Sequence, residues 1–168
     1  IENFALQHLG DYDYFKLELN SFSIPFTLLS VILLINAYNY FDGLNGILTV
    51  TSVSVLLILY FLVSNENIKL FLVIIIISKL IFLIFNFAIF KLQRLFLGDS
   101  GSMLIGFITA FILIFLAEEK KIDPILLAFS ISIFVYEFLS INLIRLFKKK
   151  HVFTASQDHL HHILLKRY

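Results

Sequence analysis

Five apolar runs dominate this chain of 168 residues and leave it few folds to choose from. They cover residues 23 to 41, 46 to 63, 67 to 90, 102 to 117 and 124 to 147. A helix needs roughly 20 residues to cross the hydrocarbon of a bilayer. Lipid offers backbone groups no hydrogen-bond partners, so runs of this length cross as helices. Their Val, Ile and Phe content would suit strands in water, but their length argues against strands. The second and fourth runs are short and require a thin bilayer or snorkelling flanks. Composition agrees: 60% of the residues are hydrophobic, 15% are charged and 20 are Phe. A soluble domain of ordinary composition carries about 25% charged residues. The expectation is an all-α, polytopic transmembrane helix bundle of about five transmembrane helices, with residues 1–168 forming a single membrane domain.

Net charge is +1, which gives no reason to expect a nucleic-acid partner. Cysteine is absent, so disulfide frameworks and thiolate metal sites are excluded. Residues 1–22 hold Glu2, Asp11, Asp13 and Glu18 against a single Lys16. A secretory signal needs a basic start and an apolar run, so this segment is not one. The first residue is Ile1, which leads to the expectation of a piece of a larger polytopic protein.

The connections between runs alternate in charge. Those following the first, third and fifth runs hold Lys91, Arg94, Arg145, Lys148, Lys149, Lys150, Lys166 and Arg167. The other set holds Lys16, Lys69, Lys120 and Lys121, each with acidic neighbours. The positive-inside rule places the first set in the cytoplasm. Residues 1–22 are then extracytoplasmic, and residues 148–168 form a cytoplasmic loop rich in Lys and His.

Three polar segments fall on that inner face. The first is NAYNYFDGLNG, Asn36 to Gly46. Asn36, Asn39 and Asp42 are spaced by three, which places them along one helix face. A single Asn or Asp here would be read as a helix cap, but three in register favour a site. Gly43 and Gly46 allow a turn and a close approach to a ligand. The second is FLGDSGS, Phe96 to Ser102, entered by Lys91 and Arg94. Asp99 suits Mg²⁺, which takes one or two carboxylates and fills its other sites with water and phosphate oxygens. Asp99 or Ser100 as a plain N-cap is an equal reading of that segment alone. The third is Asp158-His159-Leu160-His161-His162, a metal or phosphate site beside Lys148 to Lys150. The three lysines alone read as a topology signal and an anionic-lipid contact. Lys79 and Glu137 fall inside runs, where a charge costs roughly 2.5–3.5 kcal/mol on insertion scales. Lys79 is expected to snorkel or face the bundle. Asn86 and Asn142 are expected to bond between helices.

Together the three segments resemble the polyprenyl-phosphate N-acetylhexosamine-1-phosphate transferases (glycosyltransferase family 4). The family signatures look like N-x-x-N-x-x-D-G-x-D-G, F-x-G-D-S/A-G-S and H-x-H-H, and here they occur in that order between about residues 28 and 165. The H-x-H-H form is closer to the GlcNAc-1-phosphate branch than to the muramoyl-pentapeptide branch. The resemblance implies transfer of a sugar 1-phosphate, GlcNAc-1-phosphate or a related N-acetylhexosamine, from a UDP-sugar to undecaprenyl phosphate. UMP is released and cell-envelope polysaccharide synthesis begins. Mg²⁺, for which Mn²⁺ can stand in, is the implied cofactor. Asp99 is implied as its ligand, and Asp42, Asp99, His161 and His162 as the catalytic set. Asn39, Asn45, Arg94, Phe96, Gly98 and His159 are implied to bind substrate. The location implied is the bacterial cytoplasmic membrane, with a homodimer compatible with such a bundle.

Two departures from the pattern stand out. The second Asp of the first signature is Asn45, whose amide can pair with uracil but cannot act as an anionic ligand. The paired Asp that the family carries on an earlier helix is absent from residues 1–35. An incomplete active site is therefore expected of this chain alone. Two other classes remain open: a metal or ion transporter fragment with His and Asp along its path, and a non-catalytic remnant of the family. A transporter would place its ionisable groups at mid-membrane, whereas most of these gather at one face.

Overall fold

A computed structural model describes residues 5–12, 14–43, 46–89, 93–119 and 122–147. The elements are strands β1 (His8–Tyr12) and β2 (Phe15–Glu18), a 3₁₀ turn (Asn20–Phe22), and helices α1 (Ser23–Phe41), α2 (Ile47–Leu62), α3 (Glu66–Asn86), α4 (Gly98–Glu118), α5 (Pro124–Ser130) and α6 (Ser132–Phe147). Each predicted apolar run is helical. Three spans are long and apolar enough to cross a membrane: the 3₁₀ turn continued by α1, α3 and α4. The pair α5 and α6 makes a fourth if counted as one span, and α2, at 16 residues, is shorter. The protein is thus an all-α membrane bundle, in which the count of five rests on α2 and on a bent pair.

The surface is apolar where a soluble protein would be polar. Leu28, Leu29 and Ile32 on α1, Phe61 on α2, Leu70 and Ile74 on α3, and Leu104 and Phe107 on α4 all face outward. The interior holds Leu34, Tyr38, Leu56, Leu59, Leu72, Ile112, Leu116 and Phe134. α1 packs most extensively on α4, then on α6, and α3 packs on α2. The α1–α4 seam is close because Gly106 has no side chain: a Cβ there would lie 3.0 Å from Ile35 Cα and 3.2 Å from the Leu34 carbonyl oxygen. Small residues let membrane helices approach in this way. Thr109, also fully buried on α4, donates to the Ile105 carbonyl of its own helix at 2.8 Å, so its hydroxyl is satisfied locally.

Boundaries differ from the sequence expectation at several points. The third helix ends at Asn86, not 90, and the fourth begins at Gly98, not 102. The fifth run breaks at Ile131 into α5 and α6, which meet at 74°. Ser130 Oγ donates to the Leu127 carbonyl at 2.7 Å, and the Ile131 N–H bonds to Ala128, three residues back. A serine competing for backbone acceptors is a recognised cause of a sharp bend. β1 and β2 pair as an antiparallel β-hairpin, which hydrophobic periodicity does not predict. Asn142 bonds to Phe138 on its own helix at 2.8 Å, and Asn86 bonds to the Leu95 carbonyl at 2.8 Å. Among the described residues neither makes the interhelical bond expected of it; Asn86 ties down the loop that leads into α4.

Direct contacts define two ends of the bundle. At one end the hairpin meets the start of α1 and the end of α4. The Leu6 N–H donates to Thr27 Oγ1 at 2.9 Å, Ser23 Oγ donates to the Leu6 carbonyl at 2.7 Å, and the Gln7 N–H donates to Glu118 Oε1 at 3.1 Å. At the other end lie the last turn of α1, the start of α2, the end of α3 and the start of α4.

Candidate active site

The second end carries the polar segments. α1 stops at Phe41, and Asp42 leaves helical geometry at φ −81°, ψ 58°. The turn returns through Gly46 at φ +78°, where a side chain would strike the Phe87 ring at 2.3 Å. Positive φ favours glycine here, and a Cβ would also require the exposed Phe87 ring to move. The start of α2 is thereby held against the end of α3.

Asn39 joins the first polar segment to the second. Its Nδ2 donates to Asp99 Oδ1 at 3.1 Å and to Ser102 Oγ at 3.2 Å. Asp99 is 60 residues away in sequence and sits in the first turn of α4. The residue before that helix is Leu97, and no side chain caps it. The N-cap reading of Asp99 is therefore incorrect: its carboxylate accepts from α1 instead. Gly98 takes φ +69° with open space around it, so its glycine answers the backbone turn and not a crowded neighbour. Arg94 and Phe96 are exposed on the loop before α4. Asn36 does not join the group, because its amide turns back to Ile32 of its own helix at 2.7 Å.

Asp42 and Asp99 are both exposed at this mouth. Part of the Asp42 carboxyl is nonetheless withdrawn from solvent. That burial is the main reason its pKa is raised; Lys79 pulls it down and Asp99 pushes it further up. Lys79 is 5% exposed, on the face of α3 that also buries Leu72, Ile76 and Asn86. It faces the bundle and does not snorkel. Its Nζ finds no hydrogen-bond partner among the described residues. Sequence reasoning gave Lys79 no role; the signal was its charge inside an apolar run, which calls for a partner. Arg145 was read only as a topology signal, yet it is 3% exposed and donates to Tyr40 Oη at 3.0 Å. Its guanidinium also lies 5.2 Å from the Tyr40 ring centroid, and Phe138 meets that ring edge-on at 5.1 Å. The end of α6 is thereby clamped to the last turn of α1. Asn45, His159, His161 and His162 lie outside the described residues.

The clamp carries its own prediction. Tyr40→Phe keeps the ring and removes one hydrogen-bond acceptor of the Arg145 guanidinium, and a hydrogen bond to a charged group is worth about 1.5–3 kcal/mol. Thermal unfolding in detergent will show this as a lowered midpoint; an unchanged midpoint would mean that the hydrogen bond contributes nothing to holding α6.

The donor set suits a hard divalent cation. Among the described residues neither Asp42 nor Asp99 is in an ion pair within 4.0 Å, and their charges feel each other. No cluster of three or more His, Asp or Glu able to hold a metal occurs among the described residues. Mg²⁺ does not require one, since water and phosphate oxygens complete its shell.

Comparison with known proteins gives this arrangement a context. The chain is 30% identical to the undecaprenyl-phosphate alpha-N-acetylglucosaminyl 1-phosphate transferase of Salmonella typhi, over 96% of this chain and 47% of that protein. It is 28% identical to the protein of the same name from Escherichia coli (strain K12), over 90% of this chain and 43% of that one. It is 33% identical to the phospho-N-acetylmuramoyl-pentapeptide-transferase of Staphylococcus epidermidis, over 84% of this chain and 46% of that one. The chain spans about half the length of the relatives it matches. Residues 1–117, which include Asn39, Asp42 and Asp99, match the sequence model of glycosyl transferase family 4, and the chain belongs to that family.

Proposed function

We propose that the protein carrying this chain transfers a sugar 1-phosphate from a UDP-N-acetylhexosamine to undecaprenyl phosphate and releases UMP. A lipid phosphate oxygen attacks the sugar-linked phosphorus. The new P–O bond forms as the bond to UMP breaks, leaving a lipid-linked sugar diphosphate. The observation that carries this reading is the Asn39–Asp99 hydrogen bond, which brings two separated polar segments together at one open end of an apolar bundle.

Within this scheme each residue has a limited task. Asn39 orients the Asp99 carboxylate by donating to one oxygen, leaving the other for a ligand. Asp99, with Asp42 near enough to feel its charge, would hold Mg²⁺. When bound, the cation neutralises diphosphate charge, and such reactions depend mainly on positioning and electrostatics. The first turn of α4, where Gly98, Asp99 and Ser100 are exposed, offers N–H groups that suit phosphate oxygens. Arg94, Phe96, Gly98, Asn45 and His159 are assigned to substrate binding and His161 and His162 to the sugar or diphosphate side, on family resemblance. Together with the basic residues around it, the resemblance also supports a cytoplasmic position for this end.

The test is UMP formation by the full-length protein in proteoliposomes given UDP-GlcNAc, undecaprenyl phosphate and Mg²⁺. Product is expected only when lipid and cation are both present. No UMP from any UDP-N-acetylhexosamine tried would refute the proposal and favour a non-catalytic member of the family.

A further inference from the structure

The β-hairpin at the opposite end has two unlike faces. Side chains alternate along a strand, so neighbours in sequence point to opposite sides. On β2, Lys16 and Glu18 share one side, and Phe15 and Leu17 share the other. Asp11 is the register partner of Lys16, and their side chains pair at 2.7 Å. Asp11, Lys16 and Glu18 line a polar cleft of about 520 Å³ together with Asp123 and Pro124. On the other side Phe15 is 57% exposed and Leu17 41%, and Tyr14 at the turn is 97% exposed. Leu9 of β1 lines a second cavity, of about 370 Å³, which is almost wholly apolar and runs between α1, α4 and the α5–α6 bend.

The apolar side does not end at the hairpin. Phe22, 73% exposed, closes the 3₁₀ turn, and α1 continues outward with Ile24, Leu28 and Ile32. These helix residues lie on the surface that a bundle of this kind turns to lipid. The hairpin is also held in place, through the Leu6–Thr27, Ser23–Leu6 and Gln7–Glu118 hydrogen bonds and the bond from the Leu19 N–H to the Gln7 carbonyl at 2.9 Å. A fixed element at the end of a membrane bundle, apolar and aromatic on one side and charged on the other, matches the boundary between acyl chains and headgroups. Tyr and Trp rings concentrate at that boundary because one end of the ring is apolar and the other tolerates water, while Phe and Leu side chains reach into the acyl region.

We propose that the hairpin lies in the membrane interface, with Tyr14, Phe15, Leu17 and Phe22 docked into lipid and Asp11, Lys16 and Glu18 turned to water. The partner is the bilayer that the helices themselves span. The hairpin then sets the depth of the start of α1 and the end of α4, the two helices whose opposite ends carry Asn39 and Asp99. The proposal is independent of the transferase reading, because it needs only the membrane.

The chain has no cysteine, so single thiols can be placed in it freely. Tyr14→Cys, Phe22→Cys and Lys16→Cys are made in the full-length protein, any other cysteines being replaced, and are spin-labelled and reconstituted into phospholipid vesicles. Accessibility to oxygen, which concentrates in lipid, is compared with accessibility to a water-soluble nickel chelate. The ratio should favour oxygen at positions 14 and 22 and the chelate at 16. Chelate-dominated values at all three positions would place the hairpin in water and overturn the proposal. Low values for both reagents at 14 and 22 would mean that protein covers these residues, which overturns it equally. Unfolding midpoints of the labelled variants, compared with the unlabelled protein, show whether the hairpin has kept its fold, and the comparison is read on variants that keep theirs.

Discussion

Asp99→Asn should lower sugar-phosphate transfer by the full-length protein at least about 100-fold, which corresponds to roughly 3 kcal/mol of lost transition-state stabilisation. The substitution keeps shape and removes charge. An amide can still accept from Asn39 Nδ2 through its carbonyl oxygen, so the 3.1 Å link between α1 and α4 can persist. It is a poor ligand for a hard cation, so the loss should fall on turnover and on the Mg²⁺ requirement. Initial rates against Mg²⁺ and against UDP-sugar separate these effects. Asn39→Ala supplies the contrast, since it leaves the Asp99 charge and removes its orienting donor. It should cost less, about 10-fold, in line with one hydrogen bond to a charged group. If Asp99→Asn retained wild-type rates at both low and saturating Mg²⁺, the metal role would be wrong.

Gly106→Leu should be the most damaging single change to the bundle. A Cβ at this position already meets the α1 backbone, at Ile35 Cα and the Leu34 oxygen, and Tyr38 Cβ at 3.1 Å. Backbone atoms cannot swing aside as the end of a side chain can. Gly106→Ala therefore forces a shift of a few tenths of an ångström, partly offset by the better helix propensity of Ala, about 1 kcal/mol. The three further carbons of Leu require α1 and α4 to separate. Overpacking in a close-packed interior typically costs about 1–3 kcal/mol. The damage should reach the site, because Tyr38 lies next to Asn39 and separation of the helices pulls Asn39 from Asp99. The expected result for Leu is a lowered unfolding midpoint in detergent together with at least a 10-fold loss of transfer. Ala should show a small change in both. A Leu variant matching wild type in both measurements would mean that α1 and α4 can separate at this seam without cost.

Much of the bundle was legible in the sequence, and for a simple physical reason. Hydrocarbon forces long apolar runs into self-bonded helices, so the apolar runs marked α1 to α4 and the extent of the α5–α6 pair, although two of the runs are short for a full span. The three polar segments were equally visible, because Asn, Asp and His are conspicuous against such a background. The same background hid other features. The hairpin is short and lies among mixed residues, with no long period to mark it. The bend at Ile131 coincides with a Ser130 hydroxyl bonding to Leu127, a local feature that hydropathy does not register. The start of α4 was placed at 102 because Gly98 to Gly101 look like loop residues, whereas they occupy its first turn.

The division at the site follows the same logic. Residue type and spacing singled out Asn39, Asp42 and Asp99 and suggested one membrane face for their segments. Only the packing of α1 on α4 decided that Asn39 would reach Asp99 while Asn36, one turn earlier, would bond to its own helix. Tertiary structure likewise turned Lys79 inward, where its charge acts on Asp42, and set Arg145 on Tyr40. A lone charge in an apolar run says that a partner is needed but cannot say which. That choice depends on which helix faces meet, and in a bundle whose outer and inner faces are both apolar, periodicity carries almost no information about orientation. The sequence by itself therefore determined that the chain is a set of membrane helices and which residues are chemically capable. Tertiary structure decided which of those residues meet, because that depends on small residues such as Gly106 that allow one particular pair of helices to come close.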